Sequence, residues 1–98
     1  MTQKYVKDPD AILDYGFDWT DWLSGDLITT STWFVATPPL VEGDTDYLTI
    51  QSDSFTTTTT KVWLAKGDLA VTYGLTNRIT TQGGRTQDQT VNIQIKEL

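Results

Sequence analysis

Apolar residues in this chain recur at every second position, in short runs that turn residues interrupt. Val91, Ile93 and Ile95 alternate with polar residues over Thr86–Ile95. Val71, Tyr73, Leu75 and Ile79 fall on one side of a segment read as Ala70–Thr80. Val62 and Leu64 repeat the pattern within residues 60–65, and Leu48 and Ile50 within residues 47–51. A period of two puts such residues on one face of a pleated strand. Residues 13–19 and 27–35 read as two further extended segments. Turns are expected at Ser24-Gly25-Asp26, Gly43–Asp46, Lys66–Asp68 and Gln82-Gly83-Gly84-Arg85, and Pro38-Pro39 ends a strand. No long window shows helical periodicity. The best candidate, residues 10–14 after Asp8-Pro9, allows about one turn. About seven short strands in a chain of 98 residues predict an all-β antiparallel sandwich in a single domain.

One strand carries a sharper signature. Gly67-Asp-Leu-Ala-Val-Thr-Tyr-Gly-Leu75 resembles the approach to strand F of immunoglobulin-like domains, where a tyrosine precedes by two positions a buried residue facing the other sheet. Tyr73 and Leu75 fill those places, so Tyr73 is expected to bond back to nearby backbone as a tyrosine corner. The alternative is an ordinary alternating strand that happens to contain a tyrosine.

Composition then removes whole classes of function. Histidine and cysteine are both absent, so the chain alone supports no Ser-His-Asp or Cys-His nucleophile and no disulfide. Seven basic against thirteen acidic residues, with no basic cluster, argue against binding nucleic acid or an anionic membrane. Residues 1–26 hold two lysines and six aspartates, so the acidity is concentrated at the start. The first ten residues lack the apolar core of a signal peptide, and the expectation is a chain that stays where it is made or travels inside an assembly. The aspartates near the start and around residues 44–46 are the one feature that could carry chemistry. Paired carboxylates can hydrolyse glycosidic bonds, and loop aspartates can bind calcium. Their spacing matches no calcium loop, and the reading adopted is that they cap turns and keep edge strands soluble. No enzyme activity, cofactor or metal is expected; whether calcium binds is left open.

The start of the chain is unusual for a terminus. Lys7-Asp-Pro-Asp-Ala-Ile-Leu-Asp-Tyr-Gly-Phe-Asp-Trp-Thr-Asp-Trp-Leu23 packs four aromatic residues among aspartates. An end this aromatic should be pinned, to its own domain or to a partner. The expectation is an extended arm over residues 1–12, free to serve a partner, followed by a sandwich over residues 13–98. Asp8, Pro9, Tyr15, Phe17, Trp19 and Trp22 are the candidate partner-contact residues of this block. For Trp19 and Trp22 the competing reading is that they cap one open end of the core. Trp33 and Trp63 lie within strands. Because Val62 and Leu64 claim the inner face, Trp63 should point outward, and it joins the candidate contact residues.

The blocks Lys7–Trp19, Gly25-Asp-Leu-Ile-Thr-Thr-Ser-Thr-Trp33, Val62-Trp-Leu-Ala-Lys-Gly67 and Arg78-Ile-Thr-Thr-Gln-Gly-Gly-Arg-Thr86 resemble, in order and spacing, a group of small tailed-bacteriophage proteins. Members of that group are described as fibre–tail adaptors or tail accessory proteins. The resemblance implies a non-enzymatic virion protein with an immunoglobulin-like fold, assembled in the host cytoplasm and located in the tail. It would join tail or baseplate to fibre or neighbouring tail proteins, in multiple copies arranged as a ring. A capsid decoration or carbohydrate-binding module, with Trp63 and Tyr47 as its aromatic platform, is the alternative. Asn77 departs from the pattern, since it occupies a strand position where an apolar or small residue is usual. Its inward placement is therefore open, and a bulge near Gly74 would re-aim it.

Overall fold

A computed structural model describes residues 3–97 of the chain. The elements in order are β1 (Gln3–Lys7), β2 (Leu13–Asp18), a single helical turn α1 (Thr20–Leu23), β3 (Ile28–Thr37), β4 (Thr49–Phe55), β5 (Thr59–Ala65), β6 (Thr72–Thr81) and β7 (Thr86–Ile95). One sheet runs β1-β7-β6-β3 and the other β2-β5-β4. Neighbouring strands are antiparallel except β1, which runs parallel to β7. The seven-stranded immunoglobulin-like sandwich expected from the alternation is formed.

The alternating residues meet between the sheets. Tyr73, Leu75 and Ile79 of β6 and Val91, Ile93 and Ile95 of β7 face Phe17, Val62 and Leu64 across the core. The tyrosine corner is present. Tyr73 Oη accepts the Asp68 N–H at 2.9 Å and donates to Asp68 Oδ2 at 3.2 Å. The preceding turn needs glycine at position 67, whose φ is 116° and whose added Cβ would lie 2.5 Å from Ile95 Cδ1. The β6–β7 hairpin closes at Gly83-Gly84, where the Gly84 N–H bonds Thr81 O at 3.0 Å.

Several boundaries differ from expectation, each for a local reason. Residues 10–14 form no helical turn, because the Ala11 N–H closes a tight turn on Asp8 O and the chain then enters β2. The helical turn instead follows β2, where Asp18 Oδ1 accepts from the Thr20 N–H at 3.0 Å and also from the Thr20 hydroxyl. β4 starts at Thr49 and continues to Phe55, through residues that are mostly exposed and so carry no burial pattern. Bulges interrupt the pairing of β3 at both ends and of β4 near Gln51, which blunts two edges against further pairing.

Of the segment expected as an arm, residues 3–7 lie within the domain's own sheet, and Met1 and Thr2 fall outside the described residues. The register pairs Gln3 with Val91 and Lys7 with Ile95. Without β1 the outer edge of β7 would leave its backbone groups unpaired. Asn77 points inward and has no exposed surface. The irregularity near Gly74 is on the partner strand, between Val35 and Thr37, while β6 pairs with β7 without interruption and so keeps its alternation through residue 77.

Candidate functional site

The N-terminal aromatic block builds one end of the sandwich. β2 delivers Phe17 inward, stacked on Trp33 with centroids 5.4 Å apart and planes 10° from parallel. Trp19 meets the edge of Phe17 at 6.0 Å, and Trp22 meets Trp19 at 5.5 Å, both near perpendicular. The helical turn separates the two tryptophans in depth. Trp19 is 3 % exposed, whereas Trp22 is half-buried at the surface.

Asn77 explains how a polar residue and an indole share this core. Its Oδ1 accepts from Trp19 Nε1 at 3.1 Å and from the Thr60 hydroxyl at 2.7 Å. Its Nδ2 donates to Ser31 Oγ at 3.0 Å and to Thr32 O at 3.1 Å. All four hydrogen-bonding positions of the carboxamide are used, as burial requires. The node ties β3 and β6 to β5 and to the start of α1, so it spans both sheets. Trp33 is the contrast: its Nε1 is buried and has no acceptor among the described residues.

Trp22 is held by Arg85 from the β6–β7 hairpin. The guanidinium lies 4.2 Å from the indole centroid, donates to Leu23 O at 2.7 Å and to Trp22 O at 3.4 Å, and pairs with Asp26 at 3.2 Å. It therefore satisfies carbonyls at the C-terminal end of α1 that the short helix leaves open. Asp26 also accepts the N–H groups of Leu27 at 2.9 Å and Gly83 at 3.0 Å. The Thr81 hydroxyl, these N–H groups and Arg85 hold its carboxyl down to about 2.

Trp63 occupies the outer face of the three-stranded sheet. The register places Asp14 opposite it on β2 and Ser52 opposite it on β4. It is 39 % exposed, and Lys61, two residues away on the same face, pairs with Asp14 at 3.6 Å. Tyr15, on the inner side of β2, leans on Tyr5 of β1 with centroids 5.3 Å apart and closes the sandwich edge between β1 and β2. Burial pushes the Tyr15 phenol upward.

The opposite end holds Asp8 and Pro9. Asp8 Oδ1 caps the turn through the Asp10 N–H at 2.8 Å, and Pro9 helps line an open cleft of about 400 Å³ with Asp10, Asp46, Lys66 and Asp68. A carboxyl hydrogen bond between Asp44 and Asp68 pushes Asp68 up and holds Asp44 down. Among the described residues no three His, Cys, Asp or Glu side chains are grouped to hold a metal ion. Beneath this end Lys7 is fully buried, donating to Asp8 O at 2.9 Å and to Lys66 O at 2.6 Å.

The structure thus does not bring the candidate contact residues together. Phe17 and Trp19 belong to the core, and the folded chain offers neither to a partner; the aromatic stack and the Asn77 node claim both rings. Asp8 and Pro9 lie at one end, Trp22 at the other, Tyr15 along an edge and Trp63 on a sheet face. Sequence reasoning missed Arg85, Asp26 and Lys7. The hairpin signal at Gly83-Gly84 located Arg85, but nothing in the pattern pointed to Trp22 as its partner.

A family model described as Podophage GP4 fiber-tail adaptor protein gp77 matches residues 7–94. No match to a curated protein reaches significance. Among solved structures, the solution structure of the PKD domain from KIAA 1837 protein superposes with a TM-score of 0.54 at 15 % identity, covering 98 % of this chain and 80 % of that one. At that identity the likeness shows the fold alone.

Proposed function

The chain belongs to the podophage fiber-tail adaptor family, a structural component of the phage tail, and from that premise we propose that it joins tail or baseplate proteins to fibre proteins by surface contacts, without catalysis. The copies are arranged as a ring in the virion tail and assemble in the host cytoplasm. Heterologous contacts between identical copies close into rings when the rotation allows.

The observation that carries the contact is Trp63. A large aromatic side chain, 39 % exposed at the centre of a polar sheet face, is the kind of anchor that dominates protein interfaces. Asp14, Lys61 and Ser52 around it supply the polar rim such anchors usually have. Trp22, held flat under Arg85, offers a second half-buried aromatic at the end of the sandwich. The carbohydrate-platform reading gains no support, because Tyr47 turns its ring onto the buried Tyr73 at 5.1 Å while Trp63 faces outward.

The test is Trp63→Ala in the phage. The variant should fold normally by circular dichroism yet yield particles that lack fibres, or lack this protein, by electron microscopy and virion proteomics. Fully fibred, infectious particles carrying the variant would sink the assignment of Trp63.

A further inference from the structure

We propose that the β1–β7 pair, locked by Lys7, is a tension clamp that resists force passing from the N-terminal strand to the C-terminal strand. The proposal takes only the origin of the load from the adaptor reading; the clamp itself follows from topology.

β1 and β7 are the first and last strands among the described residues, and they are parallel, with Gln3 opposite Val91 and Lys7 opposite Ile95. The beginning of β1 and the end of β7 therefore lie at opposite ends of the paired strip. A pull between those points slides one strand along the other and loads the evenly spaced ladder bonds together. An antiparallel pair of terminal strands would put both pulling points at the same end, and its bonds would yield one after another. β7 is also fixed on its other side by uninterrupted pairing with β6 from Thr72–Gln94 to Thr80–Thr86, so it cannot follow β1.

The lock stands where sliding would begin. Lys7 closes the strip with its ammonium buried and donating to Lys66 O in the β5–β6 turn and to Asp8 O. The Lys7 carbonyl accepts the Lys96 N–H at 3.0 Å, one residue beyond the strand. Moving β1 along β7 must drag this ammonium away from both carbonyls, and a buried charge that loses such partners is costly. A lysine in this position makes poor sense as ordinary core packing, since an apolar side chain would fill the same space without that cost. It makes sense as a peg that resists lateral displacement. Forced unfolding is governed by the barrier rather than by equilibrium stability, so a peg of this kind raises resistance even if it adds little to folding free energy.

The absence of native cysteine allows handles to be placed at will on the full chain. Single-molecule pulling through Gln3→Cys with Lys96→Cys loads the pair in shear. Pulling through Asp10→Cys with Lys96→Cys, two points at the same end of the strip, peels it. The shear pair should unfold at severalfold higher force than the peeling pair. Lys7→Met, which keeps the stem and removes the donors, should lower the shear force by a larger factor than the peeling force. Equal forces in the two geometries, or a shear force indifferent to Lys7→Met, would overturn the proposal. Both readings are made on isolated protein, so their failure is distinct from failure of the Trp63 experiment on particles.

Discussion

Replacing Asn77 with leucine tests whether the polar node, rather than the apolar stack around it, holds the two sheets in register. Leucine keeps the same branched skeleton of side-chain heavy atoms, and its bulkier methyl groups add overpacking to the cost rather than relieving it. The substitution removes four hydrogen bonds, to Trp19, Thr60, Ser31 and Thr32. At about 1 kcal/mol net for each, the loss is about 4 kcal/mol. The extra apolar surface of leucine offsets about 1 kcal/mol of it. The consequences differ among the partners. Trp19 Nε1 keeps Thr60 Oγ1 at 3.3 Å, whereas the buried Thr60 hydroxyl loses its acceptor. A net cost of about 3 kcal/mol is a large share of the about 5–15 kcal/mol available to a domain, and it should lower Tm by about 12–24 °C in a chain this small. Urea titration followed by tryptophan fluorescence measures it. A loss below about 1 kcal/mol would refute the node as a fold-determining feature. Asn77→Asp adds a check with a sign. Burial raises the folded pKa of the new carboxyl, so its penalty should grow as pH rises from about 4 toward 7. A penalty that does not change with pH would contradict the burial.

The two buried tryptophans should respond unequally. Trp33→Phe removes an indole N–H that has no acceptor, so thermal melts should shift little, whereas Trp19→Phe removes two bonds and should cost about 2 kcal/mol more. Because the Asp26 carboxyl is held down to about 2, its contribution is fully present above the unfolded value near 4 and is lost as pH falls through about 2. Asp26→Asn should therefore lower Tm at pH 6 and match the parent chain near pH 2; a constant difference across that range would argue against the Asp26–Arg85 clamp.

What could be read from the sequence was whatever follows from alternation and turn chemistry. β6 and β7 were legible because their inward residues are large and apolar and a Gly-Gly turn joins them. Tyr73 was legible because its corner has a fixed spacing to Leu75 and Asp68. β1 was hidden, because beside Tyr5 its inward residue is Lys7, and burial of a lysine is decided by carbonyls from a distant turn. The fate of Phe17 and Trp19 was equally non-local. An aromatic residue in an acidic block reads alike whether it faces a partner or a core; Trp33, which stacks on Phe17, and Asn77, fifty-eight residues beyond Trp19, draw the two inward. Trp63 could be placed outward because Val62 and Leu64 left it no other side.

The parallel pairing of β1 with β7 also orders the events of synthesis. β1 leaves the ribosome before β7, so it must wait without that partner strand until residues 91–95 have emerged. At about 5–20 residues per second, that interval lasts several seconds. Lys7 has no buried site to enter until β1 pairs with β7, by which time its carbonyl partner on the β5–β6 turn has already been made. β1 is thus made long before the strand it pairs with, and a nascent chain halted before residue 91 leaves β1 without its template.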